Sequence, residues 1–220
     1  MAGRYRDRHP WPLYALRITT PRLELRLPDD EDLVELFAAA RAGIHPADEM
    51  PFGIPWTDGI EEPGALERFF SFYWTARGTL AAEKWQLPFA VVSDGAIVGT
   101  QELMAEDFAG SRSVASGSWL TISAQGRGLG VEMRAAVLHL AFAGLGALEA
   151  QTSAWHDNPA SQRVSLRLGY EHEGQQLLAR RGDPTAHLRY RLTREAWQRN
   201  RFDGIEIHNL EPCLPLLGAA

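Results

Sequence analysis

Several residue types and patterns are scarce in this 220-residue chain, and each scarcity excludes a class of protein. Cys213 is the single cysteine, so neither an internal disulfide nor a zinc site built from several thiolates can form. No stretch approaches the roughly 20 apolar residues of a membrane-spanning helix. The basic segment at residues 1–16 also lacks the apolar run of a secretory signal. We therefore expect a cytoplasmic protein that does not bind membranes.

Positive charge is in deficit as well. The formal net charge is -6, so no global positive field would hold the protein on nucleic acid. Hydrophobic residues make up 45% of the chain, which is enough for one sizeable core. We expect a single domain over residues 1–200, followed by a C-terminal extension over residues 201–220.

Hydrophobic periodicity predicts strands and helices in the first third of the chain. Residues 22–28 alternate leucine with charged residues as a half-buried strand does, and a helix capped by Asp29 or Asp30 follows to Arg41. Residues 42–64 carry four prolines and four glycines and read as a loop. A second helix places an apolar stripe toward the core, formed by Leu66, Phe69, Phe70, Tyr73 and Trp74.

The middle of the chain predicts an antiparallel meander of three strands, at residues 87–93, 96–106 and 113–123. Asp94-Gly95 between the first two is a strong tight-turn signal. A helix from Gly128 then leads to a strand at residues 148–157, and a helical crossover makes that strand parallel to the one before it. The expected fold class is therefore α/β (mixed α+β), with a mixed, mostly antiparallel sheet and flanking helices.

The last third of the chain predicts a short helix at residues 158–170. It carries Asn158 as the cap, Pro159 in its first turn and Gly169 just past its end. A strand hairpin follows, and Thr193 opens a final short helix.

The glycine-rich segment QGRGLG connects a predicted strand directly to a predicted helix. The start of a helix has unpaired N–H groups and a partial positive charge, so a glycine-rich approach lets backbone amides contact a phosphate. The dinucleotide fingerprint would need glycine in place of Val131, and the triphosphate loop also fails. The segment fits Q-x-x-G-x-G through Gln125, Gly128 and Gly130, with Arg127 adding a cation. By itself it is either a phosphate loop or a plain turn.

The order of several segments along the chain supports the interpretation of QGRGLG as a phosphate-binding loop. The order of ITTPRLELR, SWL, QGRGLGVEMRAAVL and NPASQRVSLRLGY resembles the GNAT superfamily of acyl-CoA N-acyltransferases, and within it the type that acetylates ribosomal-protein N-termini. The resemblance covers residues 17–198. Several segments, MPFGIPWT and DNPAS among them, are also similar to a mycobacterial member that uses succinyl-CoA. The resemblance implies the GNAT fold with a splayed parallel strand pair. It also implies a coenzyme A thioester, acetyl-CoA or succinyl-CoA, as co-substrate.

The resemblance also implies where coenzyme A would bind. The loop would hold its pyrophosphate through the backbone of Gln125, Gly126, Arg127, Gly128, Leu129, Gly130 and Val131. The preceding strand would pair with the pantetheine arm and polarise the thioester carbonyl through the backbone of Trp119, Leu120, Thr121 and Ile122. Asn158 matches a residue that contacts pantetheine, although a helix cap alone would explain it. Arg167 either meets a coenzyme A phosphate or solvates its helix face.

Two side chains are candidates for catalysis. Ser161 would face the same end of its helix as Asn158, and could hydrogen-bond or protonate the leaving sulfur. Many GNAT enzymes have a tyrosine at the position of Ser165 instead. Removing the amine proton is harder, because a lysine amine with a pKa of about 10.4 is almost fully protonated at pH 7. Glu102 is the best-placed carboxylate for a base, with a plain surface glutamate as the alternative.

The loop before the second helix carries apolar residues that line either the core or the rim of a substrate pocket, namely Met50, Phe52 and Trp56. No metal site is expected, since a strand places His172 on the face opposite Glu171 and Glu173.

The leading expectation is an enzyme that moves an acetyl or succinyl group from acyl-CoA to a primary amine by direct attack. The acceptor would be a small molecule, a protein N-terminus or a lysine. The alternative is a catalytically silent coenzyme A-binding or regulatory module. A dinucleotide-dependent oxidoreductase rests only on glycine richness, and Val131 opposes it. Because the family often pairs, a homo-oligomer is also expected.

Overall fold

The computed structural model describes residues 9–219; residues 1–8, part of the basic N-terminal segment expected to carry no signal, and Ala220 lie outside that range. Within the described range the strands are β1 (Arg17–Thr19), β2 (Leu23–Arg26), β3 (Lys84–Ser93), β4 (Ala96–Glu106), β5 (Ser113–Leu120), β6 (Glu149–Trp155), β7 (Glu171–Arg180), β8 (Asp183–Thr193) and β9 (Glu206–His208). The helices are α1 (Asp30–Arg41), α2 (Ala65–Gly78), α3 (Phe108–Ser111), α4 (Leu129–His139), α5 (Pro159–Arg167) and α6 (Arg194–Arg199).

The nine strands of the described residues form one open sheet in the order β7-β8-β6-β5-β4-β3-β2-β1-β9. Every neighbouring pair is antiparallel except β5 and β6, which are parallel and joined through α4. The mixed, mostly antiparallel sheet predicted from the sequence is therefore confirmed. The sheet order and its single parallel pair agree with the fold that the resemblance implied.

Local sequence explains where the elements begin. Asp29 caps α1 through a reciprocal box, in which its carboxylate accepts the Asp32 N–H at 2.9 Å and the Asp32 carboxylate accepts the Asp29 N–H at 3.3 Å. Asp94 and Gly95 both have positive φ, of 51° and 81°, and close the β3–β4 hairpin. Asn158 caps α5 as the sequence predicted.

The apolar stripe expected for α2 is wrong for two of its members. Leu66 is 41% exposed and Trp74 is 49% exposed. The buried line of the helix is Ala65, Phe69, Tyr73 and Ala76. Trp74 lies on the flank of that line, where its indole Nε1 donates to Asp30 Oδ1 at 3.1 Å. An aromatic side chain with a polar tip can cover the edge of a core without entering it.

Helices cover both faces of the sheet. The buried side chains of α1 and α2 form one cluster with residues of β3, β4 and β5, namely Leu33, Leu36, Ala40, Ile44, Phe69, Tyr73, Ala90, Ile97 and Trp119. The larger cluster contains α4, which packs against β1, β2, β4 and β5. Along β5, Trp119 belongs to the first cluster and Leu120 to the second, so alternate side chains point to opposite faces.

The C-terminal extension packs on the sheet of its own chain. The strand β9 pairs with β1 through Ile207 opposite Ile18. Cys213 and Leu217 are fully buried in the larger cluster, and Trp85 Nε1 donates to the Leu217 carbonyl at 3.0 Å. Burial raises the pKa of the Cys213 thiol to about 11, so the thiol stays protonated near neutral pH.

The parallel strands β5 and β6 are paired over only three residues. Ser113, Val114 and Ala115 lie opposite Glu149, Ala150 and Gln151, and the pairing stops there. The Thr152 hydroxyl then donates to the Ser116 carbonyl at 3.2 Å in place of a ladder bond. Beyond that point the two strands separate, which leaves a gap that we call the β5–β6 gap.

No helix in the part of the chain that the structure describes is long and apolar enough to cross a membrane.

Candidate functional site

The helix α4 starts at the open end of the β5–β6 gap without a side-chain cap. Its N-cap is Gly128, whereas the starts of α1, α5 and α6 are capped by the side chains of Asp29, Asn158 and Thr193. Gly126 and Gly128 have φ of 72° and 82°, a left-handed conformation that favours glycine. The sequence therefore uses glycine where the backbone itself must face outward.

The backbone amides of this turn are available to a ligand. The N–H groups of Gly126, Arg127 and Gly128 have no acceptor among residues 9–219. Leu129 and Gly130 open the helix, so helix geometry supplies no acceptor for their N–H groups. Five successive donors at the positive end of a helix dipole form a site for a phosphate or another anion.

Two side chains hold this turn in place. Gln125 Nε2 donates to the carbonyls of Ile44 and Leu120, at 2.7 and 2.9 Å. Arg22 Nη1 donates to the Arg127 carbonyl at 2.9 Å, and its guanidinium also pairs with Glu132 of α4 at 2.5 Å. The Arg127 side chain itself is exposed, and its guanidinium lies 4.0 Å from Asp94.

The end of β5 offers fewer free backbone groups than the resemblance implied. The Thr121 N–H donates to Val98 and the Ile122 N–H donates to Gly43, at 2.9 and 3.0 Å. Their carbonyls accept from Ala124 and Gln125 in a 3₁₀ turn, because β5 ends at Leu120 and not at residue 123 as expected.

Leu120 is the residue of this strand end whose backbone faces the gap. The bond from Thr121 to Val98 continues the β4–β5 ladder, and ladder direction alternates along an antiparallel strand. By that alternation the backbone groups of Ser118 and Leu120 point away from β4 and toward β6, whereas those of Trp119 point toward β4. Of these two residues Leu120 lies at the strand end; its carbonyl already accepts from Gln125 Nε2, so its N–H is the backbone group left to face the gap.

The start of α5 faces the same region. Asn158 Oδ1 accepts the Ser161 N–H at 3.0 Å, which confirms the cap and leaves only the amide nitrogen of Asn158 for a ligand. Ser161 is half-buried, and its carbonyl accepts from the Ser165 hydroxyl at 3.1 Å. Val164 lies beside Gly130, where an added Cβ would be 3.6 Å from Val164 Cγ2. Arg167 is exposed in the last turn of α5, about 13 Å along the helix axis from its cap.

Glu102 lies on the opposite face of the sheet, in a largely enclosed position. Its side chain faces Gly117 of β5, since a Cβ at Gly117 would be 3.9 Å from Glu102 Oε2. Burial raises the pKa of the Glu102 carboxyl, although the hydrogen bond from Gln86 Nε2 at 2.8 Å acts to lower it. A carboxylate held in this way is a stronger base than an exposed one. Gln86 is a partner of the site that the sequence did not indicate.

The loop before α2 covers the same face. Met50 is 4% exposed and lies in the core, while Phe52 and Trp56 are half-buried. The Trp56 ring lies 6.1 Å from that of Trp119 on β5. Trp155 of β6 donates its indole N–H to the Phe52 carbonyl at 3.1 Å. Trp56 thus approaches β5 and Phe52 approaches β6, so the loop lies close to both strands of the gap, whereas Met50 is buried.

The tip of the β7–β8 hairpin forms one ion pair with this loop and one with the segment before α5. The Arg181 guanidinium donates to both carboxylate oxygens of Asp58 in the loop, at 2.9 and 2.6 Å. Arg180 binds Asp157 beside α5 in the same way, at 2.7 Å for each contact. Within the described residues no group of three or more His, Cys, Asp or Glu side chains could hold a metal ion.

These features together define the protein class. A family model described as an acetyltransferase (GNAT) domain matches residues 22–171, and the chain belongs to that family. Membership of this family supports acyl transfer from acyl-CoA as the class of reaction. The GNAT fold and the membership of the GNAT superfamily that the resemblance implied are thereby confirmed.

Solved structures show the same fold. Mycobacterium smegmatis RimJ in complex with CoA-disulfide is similar with a TM-score of 0.67 and 21% identity, covering 86% of this chain and 93% of that chain. A GCN5-related N-acetyltransferase from Brucella melitensis gives 0.66 and 18%, covering 83% and 80%. The ribosomal-protein-S5-alanine acetyltransferase from Vibrio fischeri gives 0.59 and 18%, covering 82% and 98%.

Proposed function

We propose that this protein transfers an acyl group, acetyl or succinyl, from acyl-CoA to a primary amine by direct attack. The observation that carries the proposal is the uncapped start of α4, whose free amides lie at the open end of the β5–β6 gap. In this proposal the gap receives an extended arm that ends in a thioester. The bound thioester supplies an activated acyl group.

The residues of the turn fit coenzyme A chemically. Within the segment from Gln125 to Val131, the backbone N–H groups of residues 126–130 would hold the pyrophosphate, with the Arg127 side chain as an added cation. The N–H groups of Gln125 and Val131 already donate to the Ile122 and Gly128 carbonyls. Leu120 would hydrogen-bond the arm along the strand edge, and the Asn158 amide would contact it from α5. Ser161 would offer its hydroxyl to the leaving sulfur from the start of α5. Trp119, Thr121 and Ile122 would then contribute packing, and Arg167 would serve only a phosphate that extends along α5.

Glu102 is proposed as the general base, directly or through one water. It accepts the amine proton on the face covered by α1 and α2, while the coenzyme occupies the face covered by α4 and α5. An α-amine with a pKa of 7.7 to 8.0 presents more neutral nucleophile than a lysine amine does near pH 7. We therefore propose a protein N-terminus as the preferred acceptor. Two of the structural relatives are named for ribosomal-protein acetylation or as RimJ, in agreement with that choice.

Phe52 and Trp56 are proposed to line the acceptor entrance, with Met50 behind them. A cytoplasmic location and a homo-oligomer also belong to this proposal; a single buried cysteine suits a reducing compartment.

A silent coenzyme A-binding module is the second candidate, because Ser165 stands where many family members carry a tyrosine. Turnover separates the two. Free-thiol release is measured from acetyl-CoA and succinyl-CoA in parallel, with peptides bearing a free N-terminus and with N-blocked peptides bearing one lysine. Release above the hydrolysis rate supports the enzyme. Thermal stabilisation by coenzyme A without release on any acceptor supports the silent module.

Replacing Gly128 with alanine is expected to weaken coenzyme A binding about 10-fold or more. The positive φ of Gly128 aims the amides outward, and hydrogen bonds to a charged group are typically worth about 1.5 to 3 kcal/mol. Isothermal titration with coenzyme A measures the change. Gly182→Ala is the matched control, since Gly182 has φ of 94° and open space around it but lies at the β7–β8 tip. An equal loss of affinity in both variants would rule out a specific role for the turn.

A further inference from the structure

Arg134 of α4 is a buried cation with no acidic partner among the residues that the structure describes. Its residue exposure is 4%. Nη1 donates to Ser165 Oγ at 3.0 Å and to Thr152 Oγ1 at 3.3 Å, and Nη2 donates to Ser118 Oγ at 3.2 Å. Its Nε has no acceptor in residues 9–219, and none of the ion pairs of those residues includes it.

The surroundings of this guanidinium are polar but neutral. Besides its three hydroxyl acceptors, the buried Tyr170 phenol lies within electrostatic range of the guanidinium and interacts with the Ser116 hydroxyl; burial raises the pKa of Tyr170, although the Arg134 charge and Ser116 act to lower it. A buried charge is normally neutralised by an opposite charge or replaced by an apolar residue. Arginine keeps its proton even when burial lowers the pKa of its guanidinium, as it does here. The guanidinium is therefore a fixed positive charge that no anionic group of the described residues neutralises.

Its position coincides with the start of the β5–β6 gap. Thr152 is the first residue of β6 beyond the parallel pairing, and Ser118 lies on the unpaired part of β5. Arg134 is one helical turn below Gly130 of the amide-rich turn. Its third partner, Ser165, occupies the position that is tyrosine in many family members. Because the guanidinium hydrogen-bonds that serine hydroxyl, it lies along the path that a tyrosine ring would take.

We propose that Arg134 is a catalytic residue that stabilises the coenzyme A thiolate as it leaves. This rests on the proposed acyl transfer. The amine nitrogen forms a bond to the thioester carbonyl carbon, the C–S bond breaks, and the sulfur keeps the electron pair. The amine proton goes to Glu102 or water. The thiolate then leaves paired with the guanidinium, so no general acid is needed at position 165.

The charge is the part of Arg134 that a packing role does not explain. A methionine or leucine would fill a similar volume without burying an unpaired cation. The nearby hydroxyls can rotate to accept from the guanidinium before the reaction and to donate to an anion afterwards. Such a group acts on charge that develops only as the C–S bond breaks.

The decisive measurement compares the binding of coenzyme A and desulfo-coenzyme A from pH 6 to 9. Thiolate stabilisation lowers the pKa of the bound thiol below its free value of about 8.5. As pH increases toward that value, the affinity for coenzyme A is then expected to rise about 10- to 100-fold. Desulfo-coenzyme A has no thiol, so its affinity is expected to change with pH only through the phosphate contacts that both ligands share. In Arg134→Met the two ligands are expected to respond to pH alike. Arg199→Met, at the exposed end of α6, serves as the control and keeps the wild-type difference.

Other outcomes are equally informative. If coenzyme A and desulfo-coenzyme A respond alike to pH in the wild-type protein, Arg134 does not stabilise the thiolate. If Arg134→Met lowers turnover of succinyl-CoA but leaves acetyl-CoA unaffected, the guanidinium reads an acyl carboxylate and the proposal is overturned. If neither ligand binds, the proposed acyl transfer itself fails.

A second variant guards against a folding defect. Arg134→Met combined with Ser165→Tyr returns a ring to the space and a phenol to the sulfur. The double variant is expected to regain turnover over Arg134→Met without regaining the pH-dependent coenzyme A affinity. Regained pH dependence without the guanidinium would contradict the proposal.

Discussion

Glu102→Gln is expected to lower kcat about 100- to 10,000-fold, the usual range for loss of a general base. Glutamine keeps the size of the side chain and can still meet Gln86, but it cannot accept the amine proton. Steady-state kinetics with an N-terminal peptide and acetyl-CoA measures the effect. Coenzyme A affinity is expected to stay unchanged, since Glu102 lies on the other face of the sheet.

Glu106→Gln is the matched control, because Glu106 ends the same strand with an exposed side chain. Its activity is expected to equal that of the wild type. Equal losses in both variants, or a wild-type rate in Glu102→Gln, would remove Glu102 from the mechanism. An acceptor series of increasing amine basicity adds a further check, because the more protonated amine depends more on the base.

The pH profile follows from the direction of the Glu102 pKa. Burial raises the pKa of this carboxyl, and the base must be ionised to act. The acidic limb of kcat/KM is therefore expected above the ordinary glutamate value of about 4.3. The same shift costs stability as pH rises from that ordinary value through the raised one, because the folded protein holds the proton more tightly. Glu102→Gln should thus be more stable than wild type above this range, and similar below it, by thermal unfolding.

Leu217→Ala is expected to lower the free energy of unfolding by about 2 to 5 kcal/mol, as for other fully buried leucines. The leucine packs into the main cluster, and its carbonyl accepts from the buried Trp85 indole. Urea unfolding measures the loss. Leu177→Ala on β7 is the control, since Leu177 is 72% exposed and its truncation should change little. A small effect at Leu217 would mean that the C-terminal segment is only loosely attached.

The sequence predicted elements best where several local signals agree. The helix α5 has its Asn158 cap, Pro159 and Gly169 within twelve residues, and the β3–β4 hairpin has Asp94-Gly95 between two apolar runs. Such short-range signals depend on backbone geometry that each residue imposes alone. The glycine-rich turn was predicted for the same reason.

Features that depend on distant contacts could not be predicted in this way. Arginine is rarely buried, so Arg134 gave no sign of its place in the site. A signal did exist, because the segment around it is apolar on nearly all sides of the helix, which is typical of a fully buried helix. The exposure of Trp74 depends on neighbours that lie far away in sequence. So does the finding that, among residues 119–122, only Leu120 keeps a backbone group directed at the gap.

The pairing of β9 with β1 has a consequence for how the protein folds. Thr19 and His208 are hydrogen-bonded at 2.8 Å and Asn209 Nδ2 donates to the Ala15 carbonyl at 2.9 Å, across almost the whole chain. Closing so long a loop is entropically costly and slows folding. The first strand therefore keeps an open edge during synthesis until residues 206–208 have been made. Until then that edge is open to mispairing with another strand.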